Sequence, residues 1–238
     1  MTLPGAAGQV FGIAALPGHD PASSLRVSTV LKLLASRPER MAQLLALDAL
    51  VLPADMAVSF SATASLRKTS LYLLPRPARV WMVGSVRLES TAEALRAMAA
   101  EGFDPYGEAL VTADVDPEVV ELTRRERGKS GMCAIIDYDR GHLDLHCEAQ
   151  RDGLVVLSEL YADGWSASVD GLKARLFPVD VVLRGVPLKM GTHRVTMRYE
   201  TPGLAEGVIT AGASATLLVL GLLLSRLRLR ANAEPSPD

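Results

Sequence analysis

The most regular alternation of apolar and polar residues runs from Trp165 to Phe177, where the chain reads WSASVDGLKARLF. With Asp170-Gly171 as a two-residue turn, position 169 faces 172, 167 faces 174 and 165 faces 176. One face of this hairpin is polar, and the other carries Trp165, Ala167, Val169, Leu172, Ala174 and Leu176. The pattern predicts an antiparallel hairpin whose register is set by burial of the apolar face.

Similar alternation continues on both sides of this hairpin. A second hairpin is predicted across Gly191-Thr192, with residues 186–190 against 195–199, and further strands over 154–160 and 179–183. Because each hairpin has only one apolar face, a second layer must cover it. We therefore expect an antiparallel β-sandwich, of jelly-roll or immunoglobulin-like type, over residues 131–204.

The front of the chain mixes helical and strand patterns. Apolar residues three and four apart predict helices over 21–35 and 38–52, and Ser90-Thr91 and Gly102 bracket a shorter helix. Residues 70–74 and 79–86 have strand patterns. The prediction is a mixed α/β region over residues 1–130, which makes the fold class α+β.

An uncharged segment lies near the carboxyl end. Residues 207–225 read GVITAGASATLLVLGLLLS, a length of roughly 28 Å as a helix. We interpret residues 205–227 as a transmembrane helix and 228–238 as a disordered tail; the alternative is a buried core helix. Small residues four apart, at Gly207, Ala211 and Ala215, would allow a second helix to pack closely.

The charges that flank this segment predict its orientation. Glu206 precedes it, and Arg226, Arg228 and Arg230 follow it, so the positive-inside rule assigns the tail to the cytoplasm. Residues 1 to about 205 would then be periplasmic or otherwise extracytoplasmic. Residues 1–20 lack the basic start and unbroken apolar core of a signal peptide, so we expect a relationship to a longer, multi-spanning protein. The alternative is a tail-anchored protein with its bulk in the cytoplasm.

Charge and motifs exclude several function classes. The 25 basic and 27 acidic residues give a net charge of −2, which does not suit nucleic-acid binding. The chain has four histidines and lacks both a Gly-x-Ser-x-Gly elbow and a phosphate-binding glycine-rich loop. We therefore predict a protein that is not an enzyme, with no catalytic residue and no cofactor.

Three alternating polar residues raise the question of a metal site. His142, Asp144 and His146 would share one face of a strand that follows an Arg140-Gly141 turn, and could offer two imidazoles and a carboxylate. Residues two apart along a strand are separated by nearly 7 Å, however, which favours a solvent-facing polar surface. We predict no metal site.

The same turn bears on the two cysteines. With Arg140-Gly141 as a two-residue turn, Cys133 points to the polar face and Cys147 to the apolar face, so we predict no disulfide. A one-residue slip, a bulge or a three-residue Asp139-Arg140-Gly141 loop would instead place the cysteines opposite each other.

Two residues are candidates for ligand contact. Trp165 is of a type that stacks on sugars, although its place on the apolar face favours a role in the core. Arg184 lies between apolar strands, where pairing with an acid is favoured over a ligand role.

The back half also resembles a known family. The segments LVVLSELYADGWSASVDG and FPVDVVLRGVPLKMGTHRVTMRYETPG, followed by one apolar helix, resemble the C-terminal end of YfhO-type bacterial membrane proteins. The resemblance rests on Leu157-Ser158, Tyr161, Gly164-Trp165, Asp170-Gly171, Arg184-Gly185-Val186, Gly191, His193, Tyr199 and Pro202-Gly203. It implies an extracytoplasmic β-rich domain beside a membrane core similar to C-type glycosyltransferases.

The same resemblance implies no catalytic role for this chain. The acidic residues proposed for transfer in that family lie near its first membrane helices, and no such region is present here. The leading hypothesis is a non-catalytic single-pass protein that contacts other membrane subunits or envelope glycans. The alternative is the terminal domain of a polyprenyl-phosphate-sugar-dependent glycosyltransferase whose catalytic helices are on another chain. Expected partners are membrane subunits, the lipid bilayer and an envelope glycan.

Overall fold

The computed structural model describes residues 25–75, 78–112, 117–122, 126–139 and 141–231. The chain divides into two compact units, Met1–Arg198 and Tyr199–Asp238, which are taken separately below. The helices of the first unit are α1 Leu25–Leu34, α2 Pro38–Leu44, α3 Thr91–Ala99 and α4 Pro117–Leu122. The second unit contains α5 Leu204–Ala231.

Fourteen strands occur among the described residues. They are β1 Ala49–Pro53, β2 Ala64–Leu66, β3 Thr69–Leu73, β4 Val80–Val83, β5 Val86–Glu89, β6 Ala109–Thr112, β7 Lys129–Asp139, β8 His142–Ala149, β9 Gly153–Leu160, β10 Trp165–Val169, β11 Leu172–Ala174, β12 Phe177–Val179, β13 Leu183–Leu188 and β14 Gly191–Tyr199. Strands and helices are thus combined as the α+β prediction requires, and the predicted class is confirmed.

Eleven of these strands form one mixed sheet, in the order β11-β10-β14-β8-β7-β4-β9-β13-β12-β6-β5. The β5–β6 pair is parallel, and α3 lies in the connection between these two strands. Antiparallel pairs join β10 to β11, β12 to β13 and β6, β13 to β9, β14 to β8, β4 to β7 and β9, and β7 to β8. Strand β4 lies between β7 and β9, so the sheet continues across residue 130, where the sequence suggested a domain limit. A three-stranded sheet, β1-β3-β2, completes the first unit.

One face of the large sheet packs against the helices. This helix-side core combines residues of α1, α3 and α4 with residues of the central and last strands: Val30, Leu34, Ala94, Met98, Val119, Trp81, Val83, Leu154, Val156, Leu110 and Leu183. Strand β4 is buried at every position because its other face is also covered. A strand covered on both faces reads as a continuous apolar run, as VWMV does.

The opposite face encloses a second core, the curl core. Its residues come from strands that are far apart in the sheet order: Met82, Leu143, Leu145, Cys147, Val155, Leu157, Ala167, Val186, Leu188, Val195 and Met197. Strands β10 and β14 can share a core with β9 and β13 only if the sheet curls over itself. The two facing layers of the predicted sandwich are therefore supplied by one continuous sheet.

The hairpin from Trp165 onward has the predicted register. Val169 pairs with Leu172 and Ala167 with Ala174, around a turn in which Asp170 and Gly171 have φ of 52° and 81°. Positive φ at both central residues is what a primed two-residue turn requires. The apolar face packs on the curl core as predicted, except that Leu172 is exposed.

The predicted hairpin across Gly191-Thr192 is wrong. Strand β13 pairs with β9 and β12, whereas β14 pairs with β8. The link between them crosses from one side of the curl to the other, and the Met190 N–H donates to the Asp152 carboxylate at 2.8 Å. Val186 and Val195 still meet in the curl core, but across it rather than along one hairpin.

Cys133 and Cys147 form a disulfide, so the prediction that they do not is wrong. Asp139 pairs with His142 as expected, but the register shifts by one residue between Ile135 and Asp137. Beyond this bulge Cys133 is directly opposite Cys147, with 4.1 Å between their Cα atoms. The bulge, which the sequence analysis gave as an alternative, therefore turns the Cys133 side chain to the same face of the sheet as that of Cys147.

In the front region, the structure confirms some of the helices and strands predicted from local sequence signals and corrects others. The helix after Ser90 has a full capping box: the Ser90 hydroxyl accepts from the Glu93 N–H, and the Glu93 carboxylate accepts from the Ser90 N–H. The helix predicted over 38–52 ends at Leu44, and residues 49–53 form β1 instead. The strand predicted over 79–86 is interrupted at Gly84-Ser85, and residues 21–24 of the first predicted helix lie outside the described residues.

The second unit contains a single long helix. Helix α5 includes an apolar segment, Glu206–Leu224, that is long enough to cross a membrane, and its described side chains are exposed. The hydroxyls of Thr210, Ser214 and Thr216 each donate to the carbonyl four residues earlier, which satisfies them within the helix. The helix continues to Ala231, beyond the predicted end at 227, and residues 232–238 lie outside the described part.

Candidate functional site

Five side chains from five strands or their ends meet at one rim of the large sheet. We call this set the ladder: Tyr138 near the end of β7, Arg79 just before β4, Glu159 in β9, Arg184 in β13 and Trp165 at the start of β10. Antiparallel pairing of β9 with β4 and β13 brings the end of β9 beside the starts of its neighbours. The ladder therefore depends on the sheet order rather than on a local motif.

Arg184 is the most buried member of the ladder, with 4 % of its surface exposed. Its guanidinium carbon lies 3.6 Å from the centroid of the Trp165 ring, and its Nε donates to the Leu160 carbonyl at 3.0 Å. Burial lowers the pKa of Arg184 to about 10, while the negative charge of Glu159 acts in the opposite direction. The side chain is therefore charged at neutral pH and lies over the indole ring.

Glu159 joins the two arginines of the ladder. One carboxylate oxygen is 2.5 Å from the Arg79 guanidinium, and the other is 3.5 Å from that of Arg184. Arg79 in turn lies over the Tyr138 ring, 4.6 Å from its centroid. The two aromatic rings are thus linked through three charged side chains, in the order tyrosine, arginine, glutamate, arginine, tryptophan. Each contact restrains the side chains on both of its sides.

A cavity of 230 Å³ opens beside the ladder. Its described lining consists of Tyr138, Asp139, Gly141, Glu159 and Trp165. Two aromatic rings offer apolar surface, and two carboxylates offer hydrogen-bond acceptors. This combination suits a polyhydroxylated ligand, whose C–H faces pack on rings and whose hydroxyls donate to carboxylates.

Comparison with known proteins bears on the same strands. Residues 125–210 match the family model of the bacterial membrane protein YfhO. The predicted resemblance to YfhO-type proteins is confirmed over this segment. A comparison with curated proteins found no match, and neither did a comparison with solved structures.

The YfhO-matched segment contains β7 to β14 and the start of α5. Four ladder residues lie inside it, and Arg79 lies outside. Together with the apolar segment of α5, the match supports a membrane protein that is similar to the YfhO family over residues 125–210.

The sequence singled out two members of the ladder and missed three. Trp165 and Arg184 were candidates for ligand contact, and the structure brings them into direct contact. Trp165 also packs against the curl core, in line with its predicted core role. Arg79, Tyr138 and Glu159 carry no local signal, because what distinguishes them is their meeting across strands.

The polar residues of β8 do not converge on a common point. His142 Nε2 is 3.6 Å from Asp144, whereas His146 Nε2 is 3.7 Å from Glu148. Asp144 accepts from the Thr196 hydroxyl at 2.5 Å and from the Arg194 guanidinium. Within the described ranges, no group of three or more His, Cys, Asp or Glu side chains could hold a metal ion.

The small residues of α5 keep the predicted spacing. Gly207, Ala211 and Ala215 are exposed along the helix, four residues apart. Their role in helix packing stays a prediction.

Proposed function

We propose that this chain is a non-catalytic, membrane-anchored binding module of the bacterial envelope. Its YfhO-matched segment lies outside the cytoplasm and contacts envelope glycans or other membrane subunits. The observation that carries the proposal is continuity: the match extends to residue 210, inside the apolar segment that begins at Glu206. The match therefore covers the strands and continues into the first five residues of the apolar segment.

Two features support an extracytoplasmic position. The Cys133–Cys147 disulfide suits an oxidising compartment, because cytoplasmic thiols are kept reduced. The arginines at 226, 228 and 230 follow the apolar segment and favour a cytoplasmic C-terminus. Both features favour the same, extracytoplasmic side of the membrane for the strands.

The state of the ladder supports binding rather than catalysis. The Glu159 carboxylate is engaged by two guanidinium groups, one on each oxygen, so both oxygens already have charged partners. Arg184 is held by Trp165, Glu159 and a backbone carbonyl. Rigid aromatic and charged groups around a cavity of 230 Å³ favour recognition of a sugar unit.

Protease accessibility tests the orientation. In spheroplasts expressing the full chain, external protease is expected to degrade the strands and leave a protected fragment containing α5. Lysed cells supply the control in which both sides of the membrane are accessible. Protection of the strands in intact spheroplasts would contradict the proposed location.

Glycan binding tests the ladder. We expect the full chain in lipid nanodiscs to retain envelope oligosaccharides on an array, and Tyr138→Leu to weaken this binding about tenfold by removing one ring face. Tyr138 is 53 % exposed, so the fold should tolerate the change. Tyr199→Leu, an exposed aromatic residue of β14 outside the cavity lining, is the matched control. Equal loss in both variants would argue against a glycan site at the ladder.

The second candidate function is the terminal domain of a membrane glycosyltransferase whose catalytic helices are on a separate chain. The YfhO match supports it, since this family resembles C-type glycosyltransferases. Co-purification separates the two candidates. A multi-spanning partner that transfers sugar only with this chain bound would favour the enzyme, and assembly with other subunits would favour the binding module.

A further inference from the structure

A second cavity in the described part of the molecule lies away from the ladder. It has a volume of 490 Å³, within the range of about 300–1,000 Å³ typical of small-molecule pockets. It lies where α2 and the segments around the three-stranded sheet meet β4 of the large sheet. Its apolar and aromatic walls come from Ala42, Phe60, Leu74, Ala78, Trp81 and Tyr106.

The polar groups of the aromatic wall are already used. The Trp81 indole N–H donates to the Pro105 carbonyl at 2.7 Å, and the Tyr106 hydroxyl donates to the Gln43 carbonyl at 3.4 Å. The two rings meet edge to face, with centroids 5.1 Å apart. On this aromatic wall a ligand therefore meets fixed ring surfaces rather than free hydrogen-bonding groups.

Two charged residues, Glu39 and Lys129, also line the cavity, and they differ in whether their charged groups already have partners. The Glu39 carboxylate accepts from the Ser59 N–H at 2.8 Å and from its hydroxyl at 3.2 Å. The ammonium group of Lys129 has no hydrogen bond or ion pair with any described residue. An incoming anion would thus find one uncommitted cation and one carboxylate that is already solvated by the protein.

From this geometry we propose that the cavity binds a single-chain acyl carboxylate. The chain would lie along the Trp81 and Tyr106 rings, and the carboxylate would accept from Lys129. The nearby Glu39 charge disfavours a doubly charged head group, which selects a carboxylate over a phosphate monoester. The lack of free hydrogen-bonding groups on the apolar walls disfavours a sugar, so this site is distinct from the ladder in ligand class as well as in place.

Photocrosslinking tests the proposal in the full chain. The protein is reconstituted in lipid nanodiscs and exposed to a twelve-carbon carboxylate with a terminal diazirine. We expect labelled peptides to include Phe60 or Leu74, and unlabelled dodecanoate, but not dodecanol, to compete. Dodecanoate should compete better than decanoate by roughly fifteenfold, since each buried methylene adds about fourfold in affinity.

Variants separate the site from general uptake by the membrane. Lys129→Gln should reduce labelling about tenfold or more by removing a charged hydrogen bond. Lys173→Gln, on an exposed position of β11, is the matched control and should not change labelling. Ala78→Trp should also block labelling by filling the cavity from an exposed position, with folding verified by an intact Cys133–Cys147 disulfide. Labelling confined to α5, or equal labelling of the Lys129 and Lys173 variants, would overturn the proposal.

Discussion

Asp180 and Asp144 are both buried aspartates of the first unit, but they differ in what surrounds the carboxylate. Asp180 borders the helix-side core, where one oxygen accepts from the Leu110 N–H at 2.8 Å and the other has no hydrogen-bond partner among the described residues. Asp144, on the polar side of β8, is bound by the Thr196 hydroxyl and the Arg194 guanidinium. Little of either side chain is exposed, but Asp180 lies deep in the protein and Asp144 close to its surface, and the supply of donors also differs.

This difference reverses the direction of the pKa shift. Burial raises the pKa of Asp180 to about 7, the charge of Glu108 adds to this, and the Leu110 N–H and Arg40 act in the opposite direction. The Thr196 hydrogen bond is the main cause that lowers the pKa of Asp144, followed by the hydrogen bond from Arg194. The direction of the shift therefore follows from two differences together, the deeper burial of Asp180 and the larger number of donors at Asp144.

The largest expected effect is the pH dependence caused by Asp180. Its folded pKa is above the unfolded value, so the stability it contributes is present below about pH 4 and is lost as the pH rises through about 7. The difference between the unfolded and folded pKa values of Asp180 corresponds to a loss in the free energy of unfolding on the order of 4 kcal/mol. Asp180→Asn should flatten this slope in denaturant unfolding between about pH 4 and 8, and asparagine tolerates the positive φ of 46° found here. An unchanged slope in the variant would contradict the assignment.

The next largest change in stability is expected from the disulfide, whose two cysteines lie in the curl core or pack against it. Replacing Cys133 and Cys147 together by alanine should lower the free energy of unfolding by about 3 kcal/mol, because the cross-link closes a loop of 14 residues. Thermal unfolding of the variant and of reduced wild type should agree. A reduced wild type as stable as the oxidised form would show that β7 and β8 are held by pairing and packing alone.

Asp144 in β8 should contribute stability that is lost in acid, whereas that of Asp180 is lost as the pH rises. Its pKa is lowered in the folded state, so its stability contribution is present above the unfolded value of about 4 and is lost as the pH falls through the folded pKa. Asp144→Asn should cost about 1–2 kcal/mol at pH 7, because Arg194 and Thr196 lose a charged acceptor. Thr196→Val should reproduce part of this loss. The difference in unfolding free energy between wild type and Asp144→Asn should shrink as the pH falls, and a difference that grows in acid would remove the contrast between the two sites.

The smallest expected effect concerns the hairpin whose register the sequence predicted. Gly171 has φ of 81°, and a Cβ atom added there would have no neighbour within 4 Å, so Gly171→Ala introduces backbone strain without a clash. We expect a loss of about 1 kcal/mol in the free energy of unfolding. Gly102→Ala, also without a close neighbour but lacking a positive φ, is the control and should be near neutral. A loss in both variants would point to the added methyl group rather than to φ.

Features set by a few neighbouring residues could be predicted. The Asp170-Gly171 turn carries its own φ requirement, the Ser90–Glu93 capping box closes within one helical turn, and the α5 segment is apolar throughout its span. Each depends on contacts within about four residues, or on composition alone, so the pattern of residues is sufficient. The YfhO resemblance was predictable for a related reason, since it follows the order of residues along the chain.

Other features depended on segments that meet only in the folded chain. The one-residue shift at Ile136 that joins Cys133 to Cys147, and the separation of β13 from β14, follow from how distant strands share one sheet. The ladder belongs to this group, because Arg79, Glu159 and Arg184 become neighbours only when β4, β9 and β13 are side by side. By itself the sequence determined the local turns, the helix cap, the apolar helix and the similarity of residues 125–210 to the YfhO family. The tertiary structure decided register, pairing and site, since these are set by contacts between residues that no local pattern relates.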